Sequence, residues 1–454
     1  MSTLKGKKCV VVGLGKTGMS CVNYLLEQGC DVVAMDSSQN PSLRIPFDKS
    51  YPHVKVILGA LDYNVLTDSD LIIVSPGVSL DQPVFQKLIE EGKEIVGDVE
   101  LFLREITAPV IAITGSNGKT SVTQMVGVLL ERLGKSVVCC GNIGAPVLDF
   151  LHQSEPDYYV IELSSFQLET ISSLRAKVAV VLNITPDHID RHKTMAVYTA
   201  MKQRIYDKCE IAVLNLDEKS IWEHLHLPQK KFYFSSQKEN IKHAFHFKEV
   251  DRKVYLAYQD DLIVQTDELA ITNRHGWKNI LAVLAIGFSL DFSLEDMATI
   301  VKDFKTLPHR CQHVATVNGV SWINDSKGTN VGATIAAIES TYQKSSRKLI
   351  LILGGDSKQS DLSALKPVVK TLVSSVYIYG KDADLFESLL APVTSTVMVR
   401  NLEEAVSKIA MNCSSGDIVL LSPACSSLDM FDNYQHRGDT FVKLVEGLVH
   451  EKDL

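Results

Sequence analysis

No apolar run in this sequence approaches the roughly 18 residues that a membrane-spanning helix requires, so no membrane insertion is expected. Lys5, Lys7 and Lys8 precede Cys9-Val10-Val11-Val12 as in a signal peptide. Gly13, Gly15 and Lys16 interrupt that run well before an ordinary signal core is complete, and a cytoplasmic protein is expected. Positive charge is not in excess: 46 Lys and Arg face 54 Asp and Glu, for a net charge of −8. Nucleic-acid and membrane-surface binders need basic faces, so no nucleic-acid partner is expected; small anions need only local Lys and Arg. The nine cysteines include no C-x-x-C pair and are odd in number, which argues against a zinc framework or a disulfide scaffold. Adjacent Cys139 and Cys140 read as buried small hydrophobes. Low-complexity tracts, short repeats and long flexible linkers are absent as well.

What is present is a globular composition, 45% hydrophobic and 22% charged, over 454 residues, too long for one ordinary core. Strand and helix patterns alternate, which predicts parallel sheets with helical crossovers. In the first segment the strands are Lys8–Val12, Asp31–Met35 and Leu71–Val74, with a helix over Gly18–Gln28. A second α/β unit begins near Asp98, with strands Pro109–Ile113, Ser136–Cys140, Tyr158–Glu162 and Val178–Leu182. A third follows Leu307-Pro308-His309, with strands at Val320–Ile323, Leu349–Leu353, Val376–Tyr379 and Ile418–Leu421. The expectation is an α/β chain of three nucleotide-fold-like domains in series, 1–97, 98–306 and 307–454.

The most informative motif is Thr114-Gly115-Ser116-Asn117-Gly118-Lys119-Thr120-Ser121, a small-residue turn between an apolar strand and a helical pattern. Backbone N–H groups of such a turn form an anion site at the helix N-terminus. Lys119 can reach β- and γ-phosphates, and Thr120 offers Mg²⁺ a hydroxyl. The first glycine of the usual P-loop falls at Ile113, so the match is incomplete. Glu162, at a strand end, suits a Walker-B-like Mg²⁺ role. Asp187-His188-Ile189-Asp190-Arg191-His192 clusters charge after another strand, with His188 read as a Mg²⁺-associated or charge-positioning residue. Gly13-Leu14-Gly15-Lys16-Thr17-Gly18, with Asp36 18 residues beyond Gly18, is a diphosphate-type turn. Later strand ends carry His309-Arg310, Asp325-Ser326-Lys327, Gly355-Asp356-Ser357-Lys358 and Ser426-Ser427-Leu428, which together read as a second substrate site facing the nucleotide. A nicotinamide dehydrogenase accounts for the first turn alone, and a P-loop switch protein for the centre alone.

These motifs, with Gly141-Asn142-Ile143-Gly144 and Ser422-Pro423-Ala424-Cys425, occur in the order seen in the Mur ligases, and the chain resembles the D-glutamate-adding MurD family among them. The resemblance implies Rossmann-like outer domains around a P-loop ATPase-type centre, with UDP-N-acetylmuramoyl-L-alanine, D-glutamate and ATP as partners of a monomer. It implies that Gly13, Lys16, Thr17, Asp36, Ser37 and Gly77 hold the UDP substrate, with Asn142 and Ser164 at the junction. ATP would meet Gly115 to Ser121, Asn279, Arg310 and Asp325, while Lys119, His188, Lys202 and Lys327 serve catalysis. Thr120, Glu162, His188 and Lys202 would serve Mg²⁺, two ions in all, with Lys202 as a carbamate. Thr329, Lys358, Ser427, Leu428 and Tyr434 would hold D-glutamate. Two departures stand out. Gly276 replaces the first Asn of the family's His-Asn-x-x-Asn, and Tyr434 stands where Phe is common.

Overall fold

The computed structural model describes residues 4–237, 242–342, 348–358 and 360–450. The first sheet contains β1 (Lys8–Val12), β2 (Asp31–Asp36), β3 (Lys55–Leu58), β4 (Leu71–Val74) and β5 (Ile95–Val96). Their order is β3-β2-β1-β4-β5, parallel throughout. Continuous apolar runs suit such strands because helices cover both faces. Cys9 and Val11 face Cys21, Val22 and Leu25 of the helix Lys16–Glu27, whereas Val10 and Val12 face Phe85 and Leu88 of the helix Pro83–Glu90. That first helix starts two residues earlier than its apolar pattern predicts, because Gly15 supplies an extended N-cap.

The second sheet is wider than the sequence predicts. It holds β6 (Val110–Thr114), β7 (Val137–Gly141), β8 (Tyr158–Glu162), β9 (Val178–Val181), β10 (Ile211–Asn215), β11 (Lys230–Ser235), β12 (Ala244–Val250), β13 (Lys253–Tyr258) and β14 (Asp261–Gln265). The order is β14-β13-β12-β11-β10-β9-β6-β8-β7, with β13 antiparallel to both neighbours. Asp251 and Arg252, at φ 50 and 63, make the tight turn joining β12 to β13. One core runs from the first sheet through Phe102 of the helix Asp98–Glu105 into Tyr159 of β8, the two rings edge-on at 5.1 Å. Ser20 Oγ donating to Asp149 (2.5 Å) and Tyr24 OH donating to Glu105 (2.8 Å) fasten the same seam. Of the adjacent cysteines, Cys140 is fully buried, while Cys139 is half-buried and donates to the Thr123 carbonyl.

The third sheet contains β15 (Gln312–Val317), β16 (Val320–Asn324), β17 (Leu349–Gly354), β18 (Ser375–Tyr379), β19 (Ser395–Met398) and β20 (Ile418–Leu421), ordered β15-β16-β20-β17-β18-β19. All its pairings are parallel except that of β15 with β16. Ligands of open parallel sheets gather at the carboxyl ends of the strands. The loops after β6, β8, β9, β16, β17 and β20 carry the residues considered next.

Candidate active site at the meeting of three clefts

The turn after β6 enters the helix Lys119–Arg132 through Gly118, at φ 83. A side chain there would be strained, and its Cβ would lie 2.9 Å from Asn279 Oδ1. Lys119 Nζ folds back onto the carbonyls of Gly115 (2.8 Å) and Ser116 (2.9 Å), and burial lowers its pKa. Ser121 is buried in the first turn of the helix, and Thr120 is partly exposed. Residues after β9 brace the turn from below. The Asn183 carbonyl accepts from Ser116 N, and its side chain both accepts from Asn117 N (2.8 Å) and donates to Asn117 O (2.9 Å). The Ser116 hydroxyl meets the Thr185 backbone and the Tyr198 hydroxyl, 3.0 Å away.

Glu162 ends β8 and is 1% exposed. Its Oε1 accepts from Asn142 Nδ2 (2.9 Å), and its Oε2 is buried without a hydrogen-bond partner. An orphaned carboxylate oxygen beside a phosphate-type turn fits a hard cation. Among the described residues, no three His, Cys, Asp or Glu side chains group as a metal cage. A divalent ion here would therefore rely on Glu162, the Thr120 hydroxyl and nucleotide oxygens, as Mg²⁺ does at nucleotide sites. Lys202, in the helix Met195–Gln203, is also 1% exposed. Its Nζ donates to Gly115 O (2.9 Å) and Thr114 Oγ1 (3.3 Å) and lies 4.8 Å from the Tyr198 ring centre. Burial first, then the nearby Lys119 charge, hold its pKa well below the ordinary lysine value. His188, at φ 54, packs its ring 4.8 Å from Phe166. Burial lowers its pKa against the pull of Asp187.

Three clefts meet around these groups. The first, about 690 Å³, lies between the second and third sheets and is lined by Asn117, Gly118, Ser121, Asn279, Arg310, Asp325 and Lys327. Burial pushes the Asp325 carboxyl up to about 6 and pulls Arg310 down. The second cleft, about 810 Å³, gathers Thr329, Lys358, Ser427, Leu428 and Tyr434 with Asp187, His188 and Lys327. Lys327 Nζ sits 4.0 Å from the Tyr434 ring centre, and burial, followed by Arg310, brings its pKa to about 8. The third cleft, about 980 Å³, is lined by Gly77, Asp81, Phe166, His188, Arg191 and Lys358. Lys327 is thus shared by the first and second clefts, and His188 and Lys358 by the second and third.

Gly13, Lys16, Thr17, Asp36 and Ser37 sit at the carboxyl ends of β1 and β2 rather than in these clefts. Their link to the third cleft is the loop bearing Gly77, since Ser75 Oγ donates to Gly13 O at 3.3 Å. The Asp36 carboxylate accepts from Leu14 N and Ser38 N, 2.8 Å each, and so shapes the turn. Ser164 caps its helix in a reciprocal box with Gln167. At Gly276 an added Cβ would lie 2.2 Å from Ile271 Cγ2, so the larger residue of the family pattern does not fit this backbone. Asn273 caps that helix by accepting from Gly276 N (2.7 Å) and lines the first cleft. Sequence reasoning gave no role to Asn183, Thr185, Arg191 or Asn330, although each lies inside a polar strand-end run. Tyr198 and Asn273 carried no such signal.

The chain is similar to known proteins over nearly its whole length. Residues 7–97 match the MurD-like N-terminal domain of Mur ligases, 113–287 the Mur ligase middle domain, and 309–425 the Mur ligase glutamate ligase domain. A UDP-N-acetylmuramoylalanine--D-glutamate ligase of Coxiella burnetii (strain Dugway 5J108-111) is 46% identical over 439 residues, covering 97% of this chain and 98% of the relative. The ligase of that name from Legionella pneumophila (strain Paris) is 41% identical over 443 residues, covering 97% and 99%. Among solved structures, MurF ligase of Thermotoga maritima in complex with ADP superposes with a TM-score of 0.63 at 17% identity over the whole of both chains. A pseudomurein peptide ligase type C from Methanothermus fervidus gives 0.62 at 18%, covering 98% of this chain and 100% of that one. The structural likeness carries the fold; the sequence likeness carries the family. This chain belongs to the Mur ligases and, within them, to the UDP-N-acetylmuramoylalanine--D-glutamate ligase family.

Proposed function

We propose that the chain uses ATP to join D-glutamate to the alanine carboxylate of UDP-N-acetylmuramoyl-L-alanine, a cytoplasmic step in peptidoglycan precursor synthesis. The observation that carries this reading is the row of three clefts with shared walls at Lys327 and at His188 and Lys358. A ligase must bring a phosphoryl donor, a carboxylate and an amine to one point.

In this reading residues 1–97 carry the UDP substrate on Gly13, Lys16, Thr17, Asp36, Ser37 and Gly77, residues 98–306 carry ATP, and residues 307–454 carry the amino acid. Asn142 and Ser164 line the junction through the groups they brace. The first cleft takes the nucleotide against Gly115 to Ser121, Asn279, Arg310 and Asp325. The second takes D-glutamate against Thr329, Lys358, Ser427, Leu428 and Tyr434. The alanine carboxylate attacks the γ-phosphorus, ADP leaves, and an acyl phosphate forms. The D-glutamate amine attacks its carbonyl carbon, and inorganic phosphate leaves. Negative charge accumulates in both steps; Arg310 and Lys327 line the first cleft and Lys119 lies close enough to feel the Arg310 charge, so these three cations are suited to meet it. Thr120, Glu162, His188 and a carbamylated Lys202 would hold Mg²⁺, two ions in this reading, which would supply further neutralisation of phosphate charge. The depressed pKa of Lys202 favours a neutral amine, whose nitrogen can add to the carbon of carbon dioxide and lose one proton to solvent, giving a carbamate with the oxygens a hard cation prefers. The enzyme acts as a monomer.

The test is ADP release by the purified chain. Release should require both UDP-N-acetylmuramoyl-L-alanine and D-glutamate. ADP release that ignores either acceptor, or ligation of L-glutamate in preference, would overturn the reading.

A further inference from the structure

Asn330 lies where the third sheet's domain touches the phosphate-type turn. Its Oδ1 accepts from Ala333 N (2.8 Å), which caps the helix Val331–Thr341. Its Nδ2 points the other way, across the seam. It donates to Asp187 Oδ2 at 3.1 Å and approaches Asn117 Oδ1 at 3.4 Å. One side chain therefore joins three things: the start of a helix in one domain, the turn that would hold phosphates in another, and the loop that carries His188. Asp187 Oδ1 accepts from the His188 backbone N–H (3.0 Å), so the carboxylate that meets Asn330 also pins the backbone at His188.

The segment that brings Asn330 to the seam is stiff. Lys327 N donates to His309 O (3.0 Å), Gly328 N to Asp325 O (2.8 Å) and Thr329 N to Lys327 O (2.8 Å). Gly328 packs so closely that an added Cβ would lie 2.5 Å from Asp325 Oδ2. Fixing Asn330 therefore fixes Lys327, three residues upstream, in the wall shared by the first two clefts. A second close contact lies beside it. A Cβ on Gly332 would lie 2.8 Å from Thr185 Oγ1, and Thr185 belongs to the brace under the turn.

We propose that Asn330 is a positioning residue, a latch whose amide N–H engages Asp187 and Asn117 when the domains close and so holds Lys327 and the amine site against the phosphate turn. Asn330 and Asp187 also line the second cleft, so rupture of this latch alters one wall of that cleft, leaves the other two clefts intact, and lets the three part during the life of the acyl phosphate, admitting water. The proposal rests on the ligase reading above.

The experiment compares Asn330→Ser, Asn330→Asp and Gly332→Ala with the unaltered chain. Ser and Asp are both good helix caps, so the helix start survives; Ser lacks the amide, and Asp sets a carboxylate against Asp187. Gly332→Ala favours the helix while wedging the seam open. The expected result is kcat lower by about tenfold for Asn330→Ser and by about a hundredfold for Asn330→Asp. KM for the UDP substrate, whose cleft lies elsewhere, and the thermal midpoint should hold. More than one phosphate should be released per ligated product in all three variants. Wild-type kcat with one phosphate per product in all three would overturn the latch. A loss of kcat that merely follows a fallen thermal midpoint, with one phosphate per product, would assign Asn330 to helix capping alone. Failure of the unaltered chain to ligate would instead overturn the ligase reading, since the variants are scored only against a working enzyme.

Discussion

The turns Gly13–Gly18 and Gly115–Lys119 each carry the chain from a buried parallel strand into a helix start, and by sequence each is a phosphate-type turn, the first for a diphosphate and the second for a triphosphate. In the first, polar needs are met locally. Asp36 takes the Leu14 and Ser38 N–H groups, and Gly18 sits so near the Gly13 carbonyl that an added Cβ would lie 1.8 Å from its oxygen. Lys16 is exposed to solvent. In the second, a buried lysine, a carboxylate oxygen without a partner and a folded-back Lys119 crowd one point, and another domain leans on them through Asn330. Such crowding is electrostatically costly without a ligand, and it marks places where chemistry rather than stability has been served. Two turns that each lead from a strand into a helix are thus told apart by the charges around them.

The sharpest way to break this contrast is Lys202→Ala. If the neutral amine becomes a carbamate, the alanine variant should lose roughly 10²–10³ in turnover, the range seen when one preorganised electrostatic group is removed. Acetate should restore part of the activity by occupying the vacated space as an external carboxylate. Full activity in the variant, together with a plain lysine in an ATP-bound crystal structure, would return Lys202 to a structural role.

Paired alanine substitutions in the two turns test the contrast directly. Lys119→Ala should cost at least about tenfold in turnover, since a charge-assisted hydrogen bond is worth about 1.5–3 kcal/mol. The variant also gives up the two tethers to the Gly115 and Ser116 carbonyls, so a small stability loss should accompany it. Lys16→Ala should leave kcat alone and raise only KM for the UDP substrate, by a few-fold. The reverse ranking would show that the first turn, not the second, sits beside the reacting phosphates.

The second cleft, proposed to take D-glutamate, offers a smaller effect. Ser427→Ala should raise KM for D-glutamate by about tenfold and leave KM for the UDP substrate near its starting value. Lys358→Ala is less selective than its sequence position implies, because Lys358 lines both the second and third clefts. Equal loss of both substrates in the serine variant would move the amino-acid site elsewhere.

How far the sequence anticipated this depends on the kind of signal each element carries. Strands buried on both faces, such as Cys9–Val12 and Leu71–Val74, were legible because apolar runs bounded by glycine and proline have few other readings. The ribbon from Ala244 to Gln265 carries no such signal. Its residues alternate over short spans, and its turn uses Asp251 and Arg252 in left-handed conformations without the usual glycine. The five residues proposed for D-glutamate, drawn from three separate strand ends, line one cleft. Asn183 and Asn330 escaped because what they do depends on which backbone or domain lies across from them, and spacing along the chain does not encode that. Asp36 shows the converse: the resemblance gives it a role toward the UDP substrate, and here its oxygens accept from the Leu14 and Ser38 N–H groups of the turn itself.

The gentlest prediction concerns pH. Burial, followed by repulsion from Arg310, brings the Lys327 pKa to about 8, below its ordinary value of 10.5. In the free enzyme the ammonium needed to meet phosphate charge is therefore present below about pH 8 and lost above it. The ratio kcat/KM for ATP, which reports the free enzyme, should fall as pH rises through 8. Stability should move the other way. A lysine whose pKa is lowered by folding contributes stability that is present above 10.5 and lost as pH falls through 8. The ligand-free protein should thus gain thermal stability over the same interval in which it loses affinity for nucleotide. Lys327→Arg should shift the kinetic limb upward, because a guanidinium stays charged. Lys327→Met should remove the gain in stability between pH 8 and 10.5. A kcat/KM profile that is flat to pH 10 in the unaltered enzyme would show that the charge on Lys327 is not what ATP meets.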